Sequence, residues 1–561
     1  MSNQSTGAEA MVRLLEGHGV RHIFGLCGDT SLPFYDALAR LDHGMEHILA
    51  RDERHAAYMA DAYARVTGKP GICEGPSGGG ATYILPGLVE ANESSVPIMA
   101  ITTDVATTSA GRFPLTELDQ DALMRPLTKW NGVIPSAQLL PRMVRRAFRE
   151  MTSGRPGSTH LGLPFDVQKA DVAEEDIWSD DRFGTFPAMP SAPSPDDVER
   201  VLDALLLAKR PVIVCGGGVV LAGGCEALAE FAQKLGIPVC TTVSGQGALA
   251  ESHPLCVGVV GSNGGQPATR RLVDEADCVF FIGCRAGSVT TERWRSPATG
   301  AEILHLDSDP AVIGACYPTK AAIVADAGIA LVDLTLALED RDFVKLEGEA
   351  RVTDVKQAKW AAFNALSGSD AAPILPERVI ADLRAALPDD AIICADPGTP
   401  CPYFSAWYDW PKAGRHFLTN RAHGALGWAL GASVGAQIGR PNSKVVCAMG
   451  DGSFGMSVGE LETVKRLGLP ITFIVFSNSV FGWIKAGQKS GFDERYFSVD
   501  FTRTDHRAVA EAYGLKAWTV EAAEDLSATL AKAIAHDGPT LIDVIAQPLQ
   551  EAAAPVSEWV A

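Results

Sequence analysis

Gly450-Asp451-Gly452-Ser453 is followed by Asn478 at 478 − 451 = 27 positions beyond the aspartate. One carboxylate, one amide oxygen and a nearby backbone carbonyl form an oxygen-only donor set. Such a set suits Mg²⁺, which prefers octahedral oxygen coordination and is commonly shared with phosphates. Glycines on both sides of Asp451 let backbone N–H groups approach a diphosphate closely. The flanking elements must position these groups. Lys444-Val445-Val446-Cys447-Ala448-Met449 reads as a buried strand, and Ile471-Thr472-Phe473-Ile474-Val475-Phe476 reads as the next. Between them, residues 457–467 read as a helix with apolar positions at Val458, Leu461 and Val464. Asp451 and Asn478 are therefore expected at the C-terminal ends of successive parallel strands, where open α/β sheets bind ligands. The plainer alternative is a strand–turn–helix carrying a solvated aspartate.

A second acidic position stands upstream. Arg51-Asp52-Glu53-Arg54-His55 opens a helical stretch after an extended segment, and two acidic residues there favour the helix dipole whatever else they do. Gly75-Pro76-Ser77-Gly78-Gly79-Gly80-Ala81-Thr82 reads as a glycine-rich turn between a strand and a helix, and Gly28 lies in the turn after Ile23-Phe24-Gly25-Leu26-Cys27. In the middle of the chain, Cys215-Gly216-Gly217-Gly218 and Gly283-Cys284-Arg285-Ala286-Gly287-Ser288 each follow a strand. Glycine-rich turns after strands suit a nucleotide, with Arg285 as its phosphate partner, and they suit plain sheet packing equally.

Composition narrows the classes. A chain of 561 residues is too long for one core and suits about three domains, and its 47% hydrophobic and 21% charged residues are those of a globular protein. The formal charge of −20 disfavours a nucleic-acid surface. No apolar run is long enough to span a bilayer. The start, Met1-Ser2-Asn3-Gln4-Ser5-Thr6-Gly7, lacks the basic and apolar pattern of a secretion signal. Twelve cysteines include no C-x-x-C pair, and Cys215, Cys278, Cys394 and Cys447 fall in strand-like runs. Buried reduced thiols and a cytoplasmic setting are expected.

Strand-like and helix-like patterns alternate in three segments, which predicts an α/β chain of three doubly wound parallel-sheet domains. The boundaries are placed at residues 1–182, 196–340 and 371–550. A proline- and serine-rich linker near residues 183–195 and a partly helical polar stretch near residues 339–370 separate them.

The Gly-Asp-Gly segment and its distant asparagine resemble the thiamine-diphosphate signature of the superfamily of acetolactate synthase, pyruvate oxidase and benzoylformate decarboxylase, and the resemblance runs nearly the length of the chain. It implies an N-terminal pyrimidine-binding domain, a Rossmann-like central domain and a C-terminal diphosphate-binding domain. It further implies at least a homodimer, or a homotetramer, with each cofactor held between two subunits. By this likeness Asp451, Asn478 and the main-chain oxygen of Val480 hold Mg²⁺, with Ser477 standing where the family often has a first asparagine. Gly450, Gly452, Ser453, Phe481 and Gly482 are expected around the cofactor. Glu53 aligns with the activating glutamate, whose carboxyl drives the cofactor's amino group toward its imino form. Burial suits that role, because the group must share a proton near neutral pH. Gly28, Ser77 and Gly78 are expected along the pyrimidine side. Gly398 and Thr399, within Ala395-Asp396-Pro397-Gly398-Thr399, are expected in the first diphosphate-side loop. His423-Gly424-Ala425-Leu426-Gly427 aligns with the segment beneath the thiazolium, with Gly424 a cofactor contact and Leu426 the bulky side chain that enforces a bent cofactor. His423 reads as an acid/base group or as an interface histidine. FAD or ADP is the expected occupant of the central domain if it holds a nucleotide.

Substrate positions depart from the biosynthetic acetolactate synthases. Leu115-Thr116-Glu117 replaces a Phe-Gln-Glu run, Phe165 replaces a lysine, and Trp483 replaces a methionine while a family tryptophan becomes Gly487. Cys27, Leu115, Thr116, Gln120, His423 and Trp483 are the candidate substrate residues. The resemblance implies decarboxylation of a 2-oxo acid and transfer of the acyl carbanion to an acceptor aldehyde or ketone. A non-oxidative decarboxylase or a 2-hydroxyacyl-CoA lyase is the alternative, and a non-catalytic cofactor-binding subunit a remote one.

Overall fold

A computed structural model describes residues 4–559. Residues 1–3 of the expected first domain and residues 560–561 of the tail lie outside the described residues. Three six-stranded sheets organise the described residues, and every pairing within them is parallel. In the first sheet the spatial order is Glu46–Leu49, His22–Gly25, Gly71–Gly75, Ile98–Asp104, Thr159–Pro164 and Trp130–Val133. In the third it is Phe417–Thr419, Ile392–Ala395, Val445–Gly450, Thr472–Ser477, Thr540–Ile545 and Lys516–Val520. Numbered within each sheet, both run 2-1-3-4-6-5. The middle sheet runs 3-2-1-4-5-6, the order of dinucleotide-binding folds. A short antiparallel pair, Gln4–Thr6 with Asp171–Ala173, stands apart from these. The parallel pairing follows from sequence: strands such as Cys278–Ile282 (CVFFI) and Pro211–Cys215 (PVIVC) are apolar on both faces and wholly buried. No helix among the described residues is long and apolar enough to cross a membrane.

The chain divides into two compact units. One comprises the chain up to Met189 together with Asn420–Asn442 and Ser457–Leu469; the other comprises Pro190–Thr419, Ser443–Met456 and the chain from Pro470 onward. The first unit is built around the helix Glu53–Thr67. Its alanines favour the helix, Asp52 caps its start by accepting from the Arg54 N–H, and Gly68 ends it in the left-handed region. Almost every residue of this helix is buried, because it packs against the helix Trp428–Gly439. Gly431, Gly435 and Gly439 recur every four residues on that second helix and so share one face. A Cβ on Gly435 would lie 2.0 Å from the Met59 carbonyl oxygen. Trp428 is fully buried and donates its indole N–H to Asp61 at 3.0 Å. Gly435→Ala is expected to lower stability by about 3 kcal/mol, since backbone must move to admit the methyl. Thermal melting of the cofactor-free protein measures it, and an unchanged midpoint would refute the close approach.

One element differs from its expected form. The predicted helix over residues 457–467 is instead a short helix Asp451–Ser457, a 3-10 turn Val458–Glu460 and a helix Leu461–Leu467. Gly455 and Gly459 weaken a continuous helix. The buried Glu460 also turns inward, accepting from the Arg51 N–H at 2.8 Å and lying 3.5 Å from His55.

Candidate active site

Each outer sheet brings its candidate residues to the point where its strand order reverses. In the first sheet that point lies between His22–Gly25 and Gly71–Gly75, which are adjacent in space. Cys27 and Gly28 follow one strand, and Ser77 and Gly78 follow the other. A Cβ on Gly28 would meet the Pro76 ring at 2.4 Å, so the two turns touch. Ser77 is buried, and its hydroxyl lies 3.2 Å from that of Thr30 and 2.7 Å from that of Thr116. Thr116 belongs to a loop with positive φ at Phe113 and Thr116, and Leu115 there is exposed. Cys27 is an exposed free thiol. Gln120 is buried and spends its amide on its own sheet, donating to the Thr103 carbonyl at 3.0 Å and accepting from the Thr102 hydroxyl.

Glu53, the first residue of its helix, is 5% exposed. Burial pushes its carboxyl above the usual range, and the nearby Asp52 and Glu74 carboxylates add to the effect. Glycines make the room beside it. A Cβ on Gly80 would stand 3.0 Å from Glu53 Oε1, and one on Gly75 would stand 3.1 Å from its Cγ. The result is a buried, protonatable carboxyl in a cradle that side chains would fill. Such a group can hold a proton against a ring nitrogen.

Glu74, behind this cradle, was not anticipated. It is fully buried, accepts from the Tyr35 hydroxyl and lies 3.3 Å from His47 Nε2, while its second oxygen lacks a partner. A glutamate inside the apolar strand Gly71–Gly75 was the signal available in the sequence.

The segment 420–427 also belongs to the first unit. His423 is exposed, and its backbone N–H donates to Glu90 at 2.7 Å. Gly424 adopts φ +74°, and Leu426 is half-buried, unlike an ordinary core leucine.

In the second unit the reversal lies between Ile392–Ala395 and Val445–Gly450. Gly398, at φ +112°, and Thr399 follow the first strand, while Gly450, Asp451, Gly452 and Ser453 end or follow the second. Asp451 is 5% exposed. Its Oδ2 accepts from the N–H groups of Asn478 and Ser479 at 2.8 and 2.6 Å, and its Oδ1 accepts from the Gly452 N–H at 2.9 Å. Burial still raises its carboxyl above the usual range, although these N–H groups oppose the shift. Ser479 is held at φ +58°, a left-handed conformation costing a non-glycine residue about 1 kcal/mol. The loop beyond it is pinned as well: Phe481 N–H donates to Val499 and Phe501 N–H to Ser479, at 2.9 and 3.0 Å. Phe481 packs beside Gly452, whose Cβ would meet the ring at 2.7 Å, and Gly482 begins the next helix.

The donors fit a hard cation. Asn478 Nδ2 is buried without a hydrogen-bond partner, and Asp451 is bonded by backbone N–H groups rather than by a cationic side chain. Because the O and N of an amide are assigned from their partners, Asn478 can turn its oxygen outward. One carboxylate and neutral amide and carbonyl oxygens are the donor chemistry that suits Mg²⁺. Among the described residues no group of three His, Cys, Asp or Glu side chains forms a competing metal site.

Trp483 is half-buried and packs on the C-terminal tail. Its indole N–H donates to the Trp559 carbonyl at 3.0 Å, and the two rings meet edge-on at 5.1 Å. Trp559 lies in the tail beyond residue 550, whose sequence has no helical or strand periodicity. In the central domain, a Cβ on Gly216 would meet the Gly283 carbonyl oxygen at 2.2 Å, and one on Gly218 would meet the Gly283 Cα at 2.7 Å. Close packing of the two turns thus accounts for these glycines. All twelve cysteines are free.

Comparison with known proteins agrees with this architecture. Models of the thiamine pyrophosphate enzyme family match in order: the N-terminal TPP binding domain over residues 5–123, the central domain over 198–334 and the C-terminal TPP binding domain over 398–544. The chain is 35% identical to a probable acetolactate synthase large subunit of Methanococcus aeolicus over 558 residues, covering 97% of this chain and 92% of the relative. It is 32% identical to the acetolactate synthase isozyme 2 large subunit of Escherichia coli (strain K12), covering 97% and 96%. It is 31% identical to the acetolactate synthase large subunit of Lactococcus lactis, covering 97% and 93%. With matching domains in sequence order and relatives alike over nearly their whole length, this chain belongs to the thiamine pyrophosphate enzyme family.

Proposed function

We propose that this enzyme decarboxylates a 2-oxo acid and transfers the acyl carbanion to an acceptor carbonyl, the carboligation of an acetolactate synthase. The observation that carries the reading is the buried Glu53 carboxyl, raised above its usual range by burial, in a glycine-lined cradle. The names of the relatives support ligation specifically. Thiamine diphosphate, when bound, supplies the nucleophilic carbon and the electron sink for decarboxylation. The chain's own residues do the rest. Glu53 would hold a proton against the cofactor's pyrimidine nitrogen. Asp451, Asn478 and the Val480 carbonyl would hold Mg²⁺. Gly28, Ser77, Gly78, Gly398, Thr399, Gly424, Gly450, Gly452, Ser453, Phe481 and Gly482 would line the cofactor, and Leu426 would pack against it.

The proposal extends to domain boundaries at residues 1–182, 196–340 and 371–550, to a homodimer or homotetramer, and to the cytoplasm. A flavin absorption band in the purified protein would add FAD in the central domain. The lyase reading is favoured by one observation: Phe165 stands in place of an anion-binding lysine, with the Lys169 ammonium 5.4 Å from its ring. Incubation with pyruvate, thiamine diphosphate and Mg²⁺ separates the two. Acetolactate or acetoin is the expected product, and free aldehyde alone would replace the proposal with the lyase.

A further inference from the structure

Ser477, His506 and Asp543 form a buried polar cluster in the second unit, with exposures of 3%, 5% and 1%. His506 Nδ1 lies 2.9 Å from Ser477 Oγ and 3.2 Å from Asp543 Oδ1, and the Ser477 hydroxyl donates to the same Asp543 oxygen. With Asp543 ionised, the donor pattern closes in one way. Asp543 accepts, the serine hydroxyl donates to it, and the serine lone pair then receives the Nδ1 proton of His506. Both serine and aspartate engage the same ring nitrogen, so no proton can pass through the imidazole from one to the other. The cluster therefore holds structure and is not a nucleophilic triad.

What it holds is the root of the metal loop. Ser477 is the last residue of the strand Thr472–Ser477 and directly precedes Asn478. Asp543 lies on the neighbouring strand beside Val475, on the face that Ser477 shares. His506 is the first residue of the helix His506–Ala512, and its ring meets that of Phe454 edge-on at 5.3 Å. Phe454 sits three residues beyond Asp451 on the same short helix. The cluster thus ties the departure point of the loop to the adjacent strand, to a helix start and to the helix that bears Asp451. Beyond it the chain enters at once the left-handed conformation at Ser479.

We infer that Ser477, His506 and Asp543 are positioning residues that preset the loop so that Asn478 and the Val480 carbonyl face a cation before it arrives. The inference rests on the magnesium role proposed above and deepens it. Partners behind metal ligands commonly change metal affinity about 10- to 100-fold when removed. A hydroxyl that both donates and accepts cannot be replaced by a methyl group.

Mg²⁺ is titrated calorimetrically into cofactor-free protein at fixed thiamine diphosphate. Ser477→Ala is expected to weaken Mg²⁺ binding about 10-fold, with Ser477→Thr recovering most of the affinity. Wild-type affinity in Ser477→Ala, or a loss that threonine fails to recover, overturns the inference. If Ser477→Ala does not fold, Asp543→Asn, nearly equal in size, must show the same loss of affinity, and wild-type affinity there overturns it equally. Wild-type protein that binds neither Mg²⁺ nor thiamine diphosphate overturns the function proposed above and this inference with it.

Discussion

Replacing Glu53 with glutamine is expected to lower turnover of a 2-oxo acid about 10²- to 10⁴-fold, the range set by loss of a positioned proton-transfer group. The amide keeps the size and much of the hydrogen bonding of the carboxyl but cannot hold and release a proton. Thiamine diphosphate should still bind, because the proposed metal anchor is untouched. Stability should move the other way. Burial raises the carboxyl above its unfolded value, so its stabilising contribution is complete below the unfolded pKa and is lost as pH rises through the folded one. Glutamine never ionises. The variant should therefore match the wild type in acid and melt at a higher temperature than the wild type towards alkaline pH. Turnover within a few-fold of wild type would remove Glu53 from the chemistry. A variant that melts lower at alkaline pH would show that the carboxylate is stabilised there by its surroundings.

Asp451→Ala is expected to abolish Mg²⁺-dependent retention of the cofactor and to loosen the loop that follows Ser477. Three backbone N–H groups, of Gly452, Asn478 and Ser479, lose their acceptor, and a buried polar group left unsatisfied costs about 1–3 kcal/mol. Relief from burying the carboxylate offsets part of that cost. Asp451→Asn separates the two roles. Its amide oxygen can still accept from the Asn478 and Ser479 N–H groups while the Gly452 N–H loses its acceptor, so the cofactor-free protein should melt above the alanine variant. Its neutrality should leave Mg²⁺ affinity as low as in the alanine variant. Calorimetric Mg²⁺ titration beside thermal melting reads both effects. Tight Mg²⁺ binding by either variant would place the metal elsewhere.

Much of this was open to reading in the chain itself, for a physical reason. A parallel strand buried on both faces must be apolar along its length, so Val445–Gly450 and Thr472–Ser477 stand out, and the turns after them can then be located. Asp451 and Asn478 were readable because each follows such a strand. His506, Asp543, Glu74 and Trp559 were less so. Asp543 and Glu74 interrupt apolar strands, which is a signal of buried polar pairing, but nothing local says with which partner. Trp559 lies in a patternless tail whose position depends only on what it packs against.

Local pattern, then, determined the α/β class, the order of the strands along the chain, the acidic helix start at Glu53 and the metal-suited pair, since each depends on neighbours in sequence. Strand order across each sheet, the meeting of the Gly28 and Ser77 turns, the burial of Gln120 and the packing of Trp483 on Trp559 were decided only by the tertiary structure. Those outcomes depend on which distant surfaces exclude water together, and no spacing along the chain encodes that choice.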